Sequence, residues 1–258
     1  MPDHLAVTIP LKDIQRIQLY INTARRSLSQ IQRETGADYI LNGTLYNMST
    51  FVPNCHLKAD GKVLCKPAYT VSGYSWNDGP DISMDTLPDA SQRNYITCTP
   101  LIVSGKPLSK LIYDEGQGGK RGRSAIGVKG GSLALYCTRD GGSMTRTPES
   151  LRDDLTAAGW DSAVMLDGGG SSQCYFKGAV IQSSRAVHDL ILVYLKKGET
   201  TVEKKKVVLD PGHDAGNLAN KSPDGTYYEH EFALDMAKRI RGHLERCGVE
   251  VTETRPDG

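Results

Sequence analysis

Ala163-Val164-Met165-Leu166-Asp167-Gly168-Gly169-Gly170-Ser171-Ser172-Gln173 is the stretch on which the reading of this chain turns. Its first four residues are a short apolar run, the pattern of a buried strand. They lead straight into an acid, three glycines and two serines. Glycine loses more backbone freedom on folding than any other residue, so three in a row serve a strand or a helix badly. They suit a place where the backbone turns with positive φ or lies against a ligand with no Cβ between. Successive free N–H groups in such a turn form a nest for phosphate or carboxylate oxygens, and the two hydroxyls add donors. Asp167 stands where the strand leaves the core. The stretch reads as the floor of an active site; a tight strand exit without a ligand is the alternative.

Working outward, 258 residues allow one large domain, or one and a piece of another. Hydrophobic residues at 38% suffice for a core, and a net charge of +1 gives no general attraction to nucleic acid or membrane. No apolar run approaches the ~20 residues that cross a bilayer. Met1-Pro2-Asp3-His4 lacks the basic start and apolar core of a secretory signal. The six cysteines include no Cys-x-x-Cys pair, which speaks against a zinc ribbon. Cys55 and Cys65 bracket a hairpin at Asp60-Gly61 and are the pair to join if oxidised; the missing signal points to reduced thiols.

Ile17, Leu19 and Ile21 alternate with Gln18 and Tyr20, a half-buried strand. Thr23 is placed to cap a helix that carries Leu28 and Ile31 and stops at Gly36. Tyr39-Ile40-Leu41 is a short strand ending in Asn42-Gly43. Turn signals at Asp60-Gly61, Asn77-Asp78-Gly79-Pro80, Ser104-Gly105, Gly130-Gly131 and Asp140-Gly141-Gly142 punctuate strands as far as Ser143. Gly116 to Arg123, with Lys120 and Arg121, reads as a mobile basic loop. Thr147-Pro148-Glu149 starts a helix with Leu151 and Leu155 that ends at Gly159. Ala186 to Leu195 is apolar, interrupted by His188-Asp189. Lys196 to Lys206 is charged and aperiodic, a linker. Beyond it come a strand (Val207-Val208-Leu209), a helix from Glu229 to Arg246, a stop at Gly248 and a strand from Val249 to Thr254. That order is α/β, and roughly fifty residues are too few to complete such a core. The expected organisation is a domain over 1–195, a linker over 196–206 and the N-terminal part of a second domain over 207–258.

Polar residues collect at apparent strand ends. Asn42 follows Tyr39-Ile40-Leu41, Arg123 precedes Ser124-Ala125-Ile126, and Arg185 precedes Ala186-Val187. Arginines facing an acid and a glycine nest suit an anionic substrate, because guanidinium binds phosphate bidentately. A carboxylate near the scissile bond suits acid/base or nucleophilic work on a glycoside. Asp140 reads as a hairpin turn residue, His188 as a core histidine, and Lys120 and Arg121 as a solvated loop.

Asn42-Gly43, Gly122-Arg123-Ser124-Ala125-Ile126-Gly127, Asp140-Gly141, Asp167 to Ser172, and Ser184-Arg185-Ala186-Val187 occur in that order. Over about residues 14–195 this set resembles the phosphodiester glycosidase family, which includes N-acetylglucosamine-1-phosphodiester α-N-acetylglucosaminidase. The resemblance implies an α+β domain, a mixed sheet with packed helices, that hydrolyses a sugar 1-phosphodiester and releases the sugar. Asp167, Asn42 and Arg123 are then the candidate catalytic residues, and Gly168, Gly169, Gly170, Ser171, Ser172 and Arg185 the substrate binders. Whether Asp167 is acid, base, nucleophile or metal ligand stays open. Asn42-Gly43-Thr44-Leu45-Tyr46 departs from the family's second glycine and aromatic pair, which bears on substrate shape more than on fold.

Val207 to His213 places a histidine just past a strand end, and Glu229 opens a helix. Side chains converging in that way hold zinc with water at an open position; a turn histidine and an acid favoured by the helix dipole are the alternative. Leu209-Asp210-Pro211-Gly212-His213, then Glu229 with Leu234 and Ala237, then Val251 to Asp257, resemble the type 3 zinc-dependent N-acetylmuramoyl-L-alanine amidases. That resemblance implies Zn2+ on His213 and Glu229, with a second histidine and a catalytic glutamate beyond Gly258, so an incomplete and inactive α/β amidase domain is expected. Asp214-Ala215 replaces the family's glycine pair.

The expected function is therefore a sugar 1-phosphodiester hydrolase joined to a peptidoglycan amidase, acting on bacterial cell-wall or envelope polymers. The expected partners are a sugar-phosphate or wall glycopolymer and peptidoglycan, with neither nucleic acid nor a membrane span. The missing signal suggests synthesis in the cytoplasm and a phage-lysin-like or other route to the wall or the exterior. Two alternatives differ in class: a non-catalytic wall-binding module that targets the amidase, and an acid-rich loop holding calcium, the divalent cation open to the first domain.

Overall fold

The computed structural model describes residues 2–87, 91–196, 206–212, 218–247 and 249–254. The chain divides into two compact units, Met1–Lys196 and Lys197–Gly258.

The first unit is built on three antiparallel sheets. A six-stranded sheet runs in the order His4–Pro10, Ser132–Thr138, Ser124–Lys129, Ser162–Met165, Thr99–Val103, Lys106–Pro107. A five-stranded sheet runs Ala179–Ile181, Cys174–Phe176, Tyr39–Asn42, Asp189–Leu195, Ile14–Ile21. A second five-stranded sheet runs Lys62–Cys65, Leu57–Ala59, Asn94–Ile96, Gly73–Trp76, Ile82–Asp85. The unit is α+β, but its described pairings are antiparallel where a mixed sheet was expected. Short turns impose this on the hairpins, since a parallel pair needs a crossover of a dozen or more residues, and the pairs between strands distant in sequence are antiparallel as well. Asp60-Gly61, Ser104-Gly105 and Gly130-Gly131 all have positive φ at both positions, the type I′ geometry of two-residue hairpins.

Successive residues of a strand point to opposite faces, and here both faces are buried. Ile126, Leu135, Cys137 and Val164 meet Leu41, Ile191, Val193 and Trp76 in a core shared by all three sheets. Their neighbours Ala125, Ala134, Tyr136, Ala163 and Met165 face the other way, under Leu151 and Leu155 of the helix Pro148–Ala157. Ile40, Leu190 and Leu192 likewise pack under Leu28 and Ile31 of the helix Leu28–Thr35. Strands covered on both faces read as continuous apolar runs, as Ala163 to Leu166 does. The first helix is capped by Ser27, with Gln30 completing the box, and not by Thr23. Asn22 accounts for the difference: its Oδ1 accepts from Arg26 N–H at 2.8 Å and holds residues 22–26 in a turn.

In the second unit Lys206–Leu209 pairs in parallel with Glu250–Glu253, and the helix Glu229–Arg246 connects them. The strand takes in Lys206, the last residue of the expected linker; 197–205, His213 and Gly248 lie outside the described residues. Among the described residues no helix is long and apolar enough to cross a membrane.

Leu135 is fully buried in the shared core. Leu135→Ala should destabilise the protein by ~2–5 kcal/mol, the usual cost of such a deletion with its cavity. Chemical denaturation measures it, and a loss well below this range would show that the site collapses around the smaller side chain.

Candidate active site

A cleft of about 350 Å³ opens where the strand end at Met165 in the six-stranded sheet meets the chain leaving Tyr39–Asn42 in the first five-stranded sheet. Its lining includes Asp167, Gly168, Gly169, Gly170, Ser171, Arg123 and Arg185 of the expected set. It also includes Tyr46, Met48, Gln117 and Arg121, which the sequence did not single out as site residues. Arg121, read as part of a solvated loop, is drawn to the cleft by backbone pairing with Arg146.

Asp167 follows the strand Ser162–Met165 by two residues. Its N–H donates to the Gly43 carbonyl at 3.0 Å, and its Oδ1 accepts from Gly168 N–H at 2.8 Å. Burial raises its pKa from the ordinary carboxylate value of 3.8 to about 6; the hydrogen bonds from Ser171 and Gly168 oppose that rise, and the nearby Asp189 carboxylate adds to it.

Most backbone donors of the glycine loop are used within the fold, where a nest of free N–H groups was expected. Gly169 N–H donates to Gly122 O at 2.8 Å, Ser171 N–H to Gly168 O and Ser172 N–H to Gly169 O, so these donors are consumed within the fold. The glycines serve close packing instead: a Cβ on Gly168 would sit 2.7 Å from the Gly122 carbonyl oxygen, and Gly169 has φ +57°. Positive charge comes from side chains. Arg123 is 1% exposed. Its guanidinium donates to the carbonyls of Arg146 (2.8 Å) and Gly119 (2.7 Å), and its Nη1 contacts Met165 Sδ. Burial, and secondarily repulsion from Arg121, lowers its pKa. Arg185 reaches across the cleft mouth to Met48 Sδ.

Asn42 and Ser172 lie beneath the site and not on its wall. Asn42 is fully buried at the end of its strand. Its Nδ2 donates to the Asp167 carbonyl at 2.8 Å, and its Oδ1 accepts from Ser124 Oγ at 2.6 Å and Gln173 N–H at 3.0 Å. An amide with every group engaged has nothing left for substrate. Ser172 is 3% exposed and its Oγ has no described partner. Asp140 accepts from Gly122 N–H at 2.8 Å, a turn role. His188 is a core histidine, bonded through Nδ1 to Asp189 Oδ2 at 3.0 Å and stacked on Tyr46.

In the second unit Glu229 is the first residue of its helix and lines an open hollow with Tyr227, Phe232 and Met236. Its expected zinc partner His213 lies outside the described residues. Among the described residues no three His, Cys, Asp or Glu side chains gather as a metal site requires.

Two variants test this geometry. Asn42→Ala strips partners from buried groups, each worth ~1–3 kcal/mol, so unfolding should show a loss of about 3 kcal/mol or more; a loss below ~1 kcal/mol would mean the amide is not a clamp. Asp167→Asn tests the raised pKa. Between pH 3.8 and about 6 the native carboxyl holds a proton that the unfolded chain has released, so wild-type stability falls as pH rises through that window. The variant should gain melting temperature relative to wild type above pH 6 and lose that gain below 3.8; a pH-independent difference would contradict the shift.

The phosphodiester glycosidase family model matches residues 20–194. Three solved structures share the fold. A hypothetical protein from Synechocystis superposes with a TM-score of 0.61 at 14% identity, over 75% of this chain and 59% of that one. The catalytic domain of zebrafish N-acetylglucosamine-1-phosphodiester α-N-acetylglucosaminidase, auto-inhibited by its pro-peptide, gives 0.58 at 13% identity, over 76% and 85%. A putative exported protein from Burkholderia pseudomallei K96243 gives 0.51 at 11%, over 74% and 73%. This chain thus spans less than two thirds of the Synechocystis protein. No curated protein sequence matches it. With a family match across most of the first unit, the antiparallel α+β fold and the Asp167 loop at its strand ends, the chain belongs to the phosphodiester glycosidase family of hydrolases.

Proposed function

We propose that the first unit hydrolyses a sugar 1-phosphodiester of the N-acetylglucosamine-1-phosphodiester class, breaking the bond between sugar C1 and the phosphate oxygen. The observation that carries this is the charge inventory of the cleft. Asp167 is the only carboxylate among its described lining residues, and Arg121, Arg123 and Arg185 share the wall with it. An ordinary glycosidase uses two carboxylates, one of them to protonate the leaving oxygen. A phosphate leaving group departs as an anion and calls for positive charge more than for a proton. Three guanidinium groups supply that charge at the point where it develops.

The one carboxylate then serves the water. With a pKa of about 6, Asp167 is mostly ionised at neutral pH and basic enough to take a proton. The water oxygen bonds to C1, its proton passes to Asp167, and the C1–O electron pair leaves with the phosphomonoester. The Gly168 N–H aims the carboxylate, and Tyr46 and Met48 line the cleft with it.

For the second unit we propose a zinc-dependent N-acetylmuramoyl-L-alanine amidase relationship, with His213 and Glu229 as the residues that would hold the metal, and a wall polymer or peptidoglycan as the material on which the protein acts. The wording of residues 209–213 and 229–237 supports this, as does the parallel strand pair joined through the helix that Glu229 opens. Bound zinc would activate a water for amide hydrolysis.

Turnover of an aryl-phosphoryl N-acetylglucosamine substrate tests the main reading. Asp167→Asn should lower kcat by ~10²–10⁴-fold, the usual worth of a general base, while circular dichroism shows the fold intact. A folded variant at the wild-type rate would refute the role of Asp167.

A further inference from the structure

The cleft has neighbours that the reaction at C1 does not use. Leu45, Cys98 and Gln117 line both the cleft and a hollow of about 250 Å³ beside it. Val71 and Ile112 line that hollow and a further one of about 290 Å³. Three depressions thus follow one another along the first unit, and the guanidinium groups stay at one end. The lining changes character along the way. The second hollow holds Tyr69, Val71, Ile112 and Tyr113, and the third adds Pro100, Val103 and Leu108. Asp114 in the second and Lys110 in the third are the charged residues among their described linings. Ile112 is 69% exposed and Tyr69 49%, so apolar surface here stands open to water.

The segments that carry these side chains are fixed without a ligand. Tyr95 donates its hydroxyl to the Val71 carbonyl at 2.9 Å, and Thr97 donates to that of Ser72 at 2.6 Å. Tyr113 donates to the Glu149 carboxylate at 2.6 Å and Arg152 to the Leu108 carbonyl at 2.8 Å, which ties residues 108–113 to the helix Pro148–Ala157. The strand Thr99–Val103 contributes Thr99 to the second hollow and Pro100 and Val103 to the third. Preformed hollows with mostly apolar walls and few polar groups are the usual form of a small-molecule site.

We propose that the second and third hollows take the other ester arm of the substrate, and that this arm is a long apolar alcohol. The inference rests on the reading of the cleft as a sugar 1-phosphodiester site. A phosphodiester carries an arm on each side of phosphorus. Arg121, Arg123 and Arg185 line the cleft that receives the phosphate; hydrolysis at C1 frees the sugar, and the alcohol stays on the departing phosphomonoester. A polyanionic arm would meet Asp114 in the second hollow and a single cation, Lys110, in the third. An apolar chain instead passes Leu45 out of the cleft and covers Val71 and Ile112, the residues common to both hollows. Burying those surfaces together is favourable in proportion to the apolar area removed from water.

Calorimetry with the full chain tests this, using ethyl, butyl and octyl phosphate, the phosphomonoester products with arms of rising length, below the concentrations at which they aggregate. Each buried methylene should add about fourfold in affinity, so octyl phosphate should bind ~100-fold tighter than ethyl phosphate. The same order should appear in kcat/KM for N-acetylglucosamine 1-phosphodiesters with those arms. Ile112→Glu, at an exposed position, should shrink the octyl-to-ethyl ratio by ~10-fold, the worth of about two methylenes. If no diester is turned over but affinity still climbs with length, the hydrolase reading fails and the apolar site stands. Equal affinities for ethyl and octyl phosphate, tighter binding of glycerol phosphate than of octyl phosphate, or an octyl preference unchanged by Ile112→Glu would overturn the proposal.

Discussion

The side-chain amide of Asn42 holds the site together. It ends a strand of one sheet, receives the hydroxyl of Ser124 at the first residue of a strand in the other, and donates to the carbonyl of Asp167. A third bond, from Gln173 N–H, fastens the far end of the glycine loop to the same oxygen. Buried polar groups are costly to leave unpaired, so this amide dictates how the two sheets meet and where the loop between Asp167 and Gln173 begins and ends. Gly43 completes the corner. A Cβ there would overlap the Asp189 carboxylate, which accepts the Thr44 N–H at 2.8 Å. The Gly43 carbonyl in turn receives the Asp167 N–H.

The consequence of that corner is electrostatic. The loop turns the N–H groups of Gly168, Gly169, Ser171 and Ser172 inward onto its own fold; it sets one half-buried carboxylate opposite guanidinium groups that come from elsewhere in the chain. Arg123 is buried on carbonyls and a thioether, Arg121 arrives through pairing with Arg146, and Arg185 crosses the mouth. Charge of one sign concentrated beside a single acid is the feature that separates this cleft from a two-carboxylate glycosidase.

Much of this was legible in the residues themselves. The apolar run into Asp167, the positive-φ hairpin pairs and the Thr147-Pro148 helix start are local signals, and local physics made them. Arg123 and Arg185 were legible because each stands just ahead of an apolar segment. What could not be read depends on contacts distant in sequence. Asn42-Gly43 looks like an ordinary turn until Ser124 and Gln173 are brought to it. Tyr46 acquires its place by donating its hydroxyl to the Ala186 carbonyl. Gly169 N–H is taken by Gly122, 47 residues before it, which the local sequence does not reveal.

A cleft with one carboxylate and three guanidinium groups should cleave at the sugar carbon and treat phosphate as the leaving group. Hydrolysis of a sugar 1-phosphodiester in water enriched in heavy oxygen tests this most directly, with mass spectrometry of both products. The label is expected in the released sugar, with none in the phosphomonoester. Label in the phosphomonoester would mean that the phosphorus–oxygen bond breaks, and would contradict cleavage at C1.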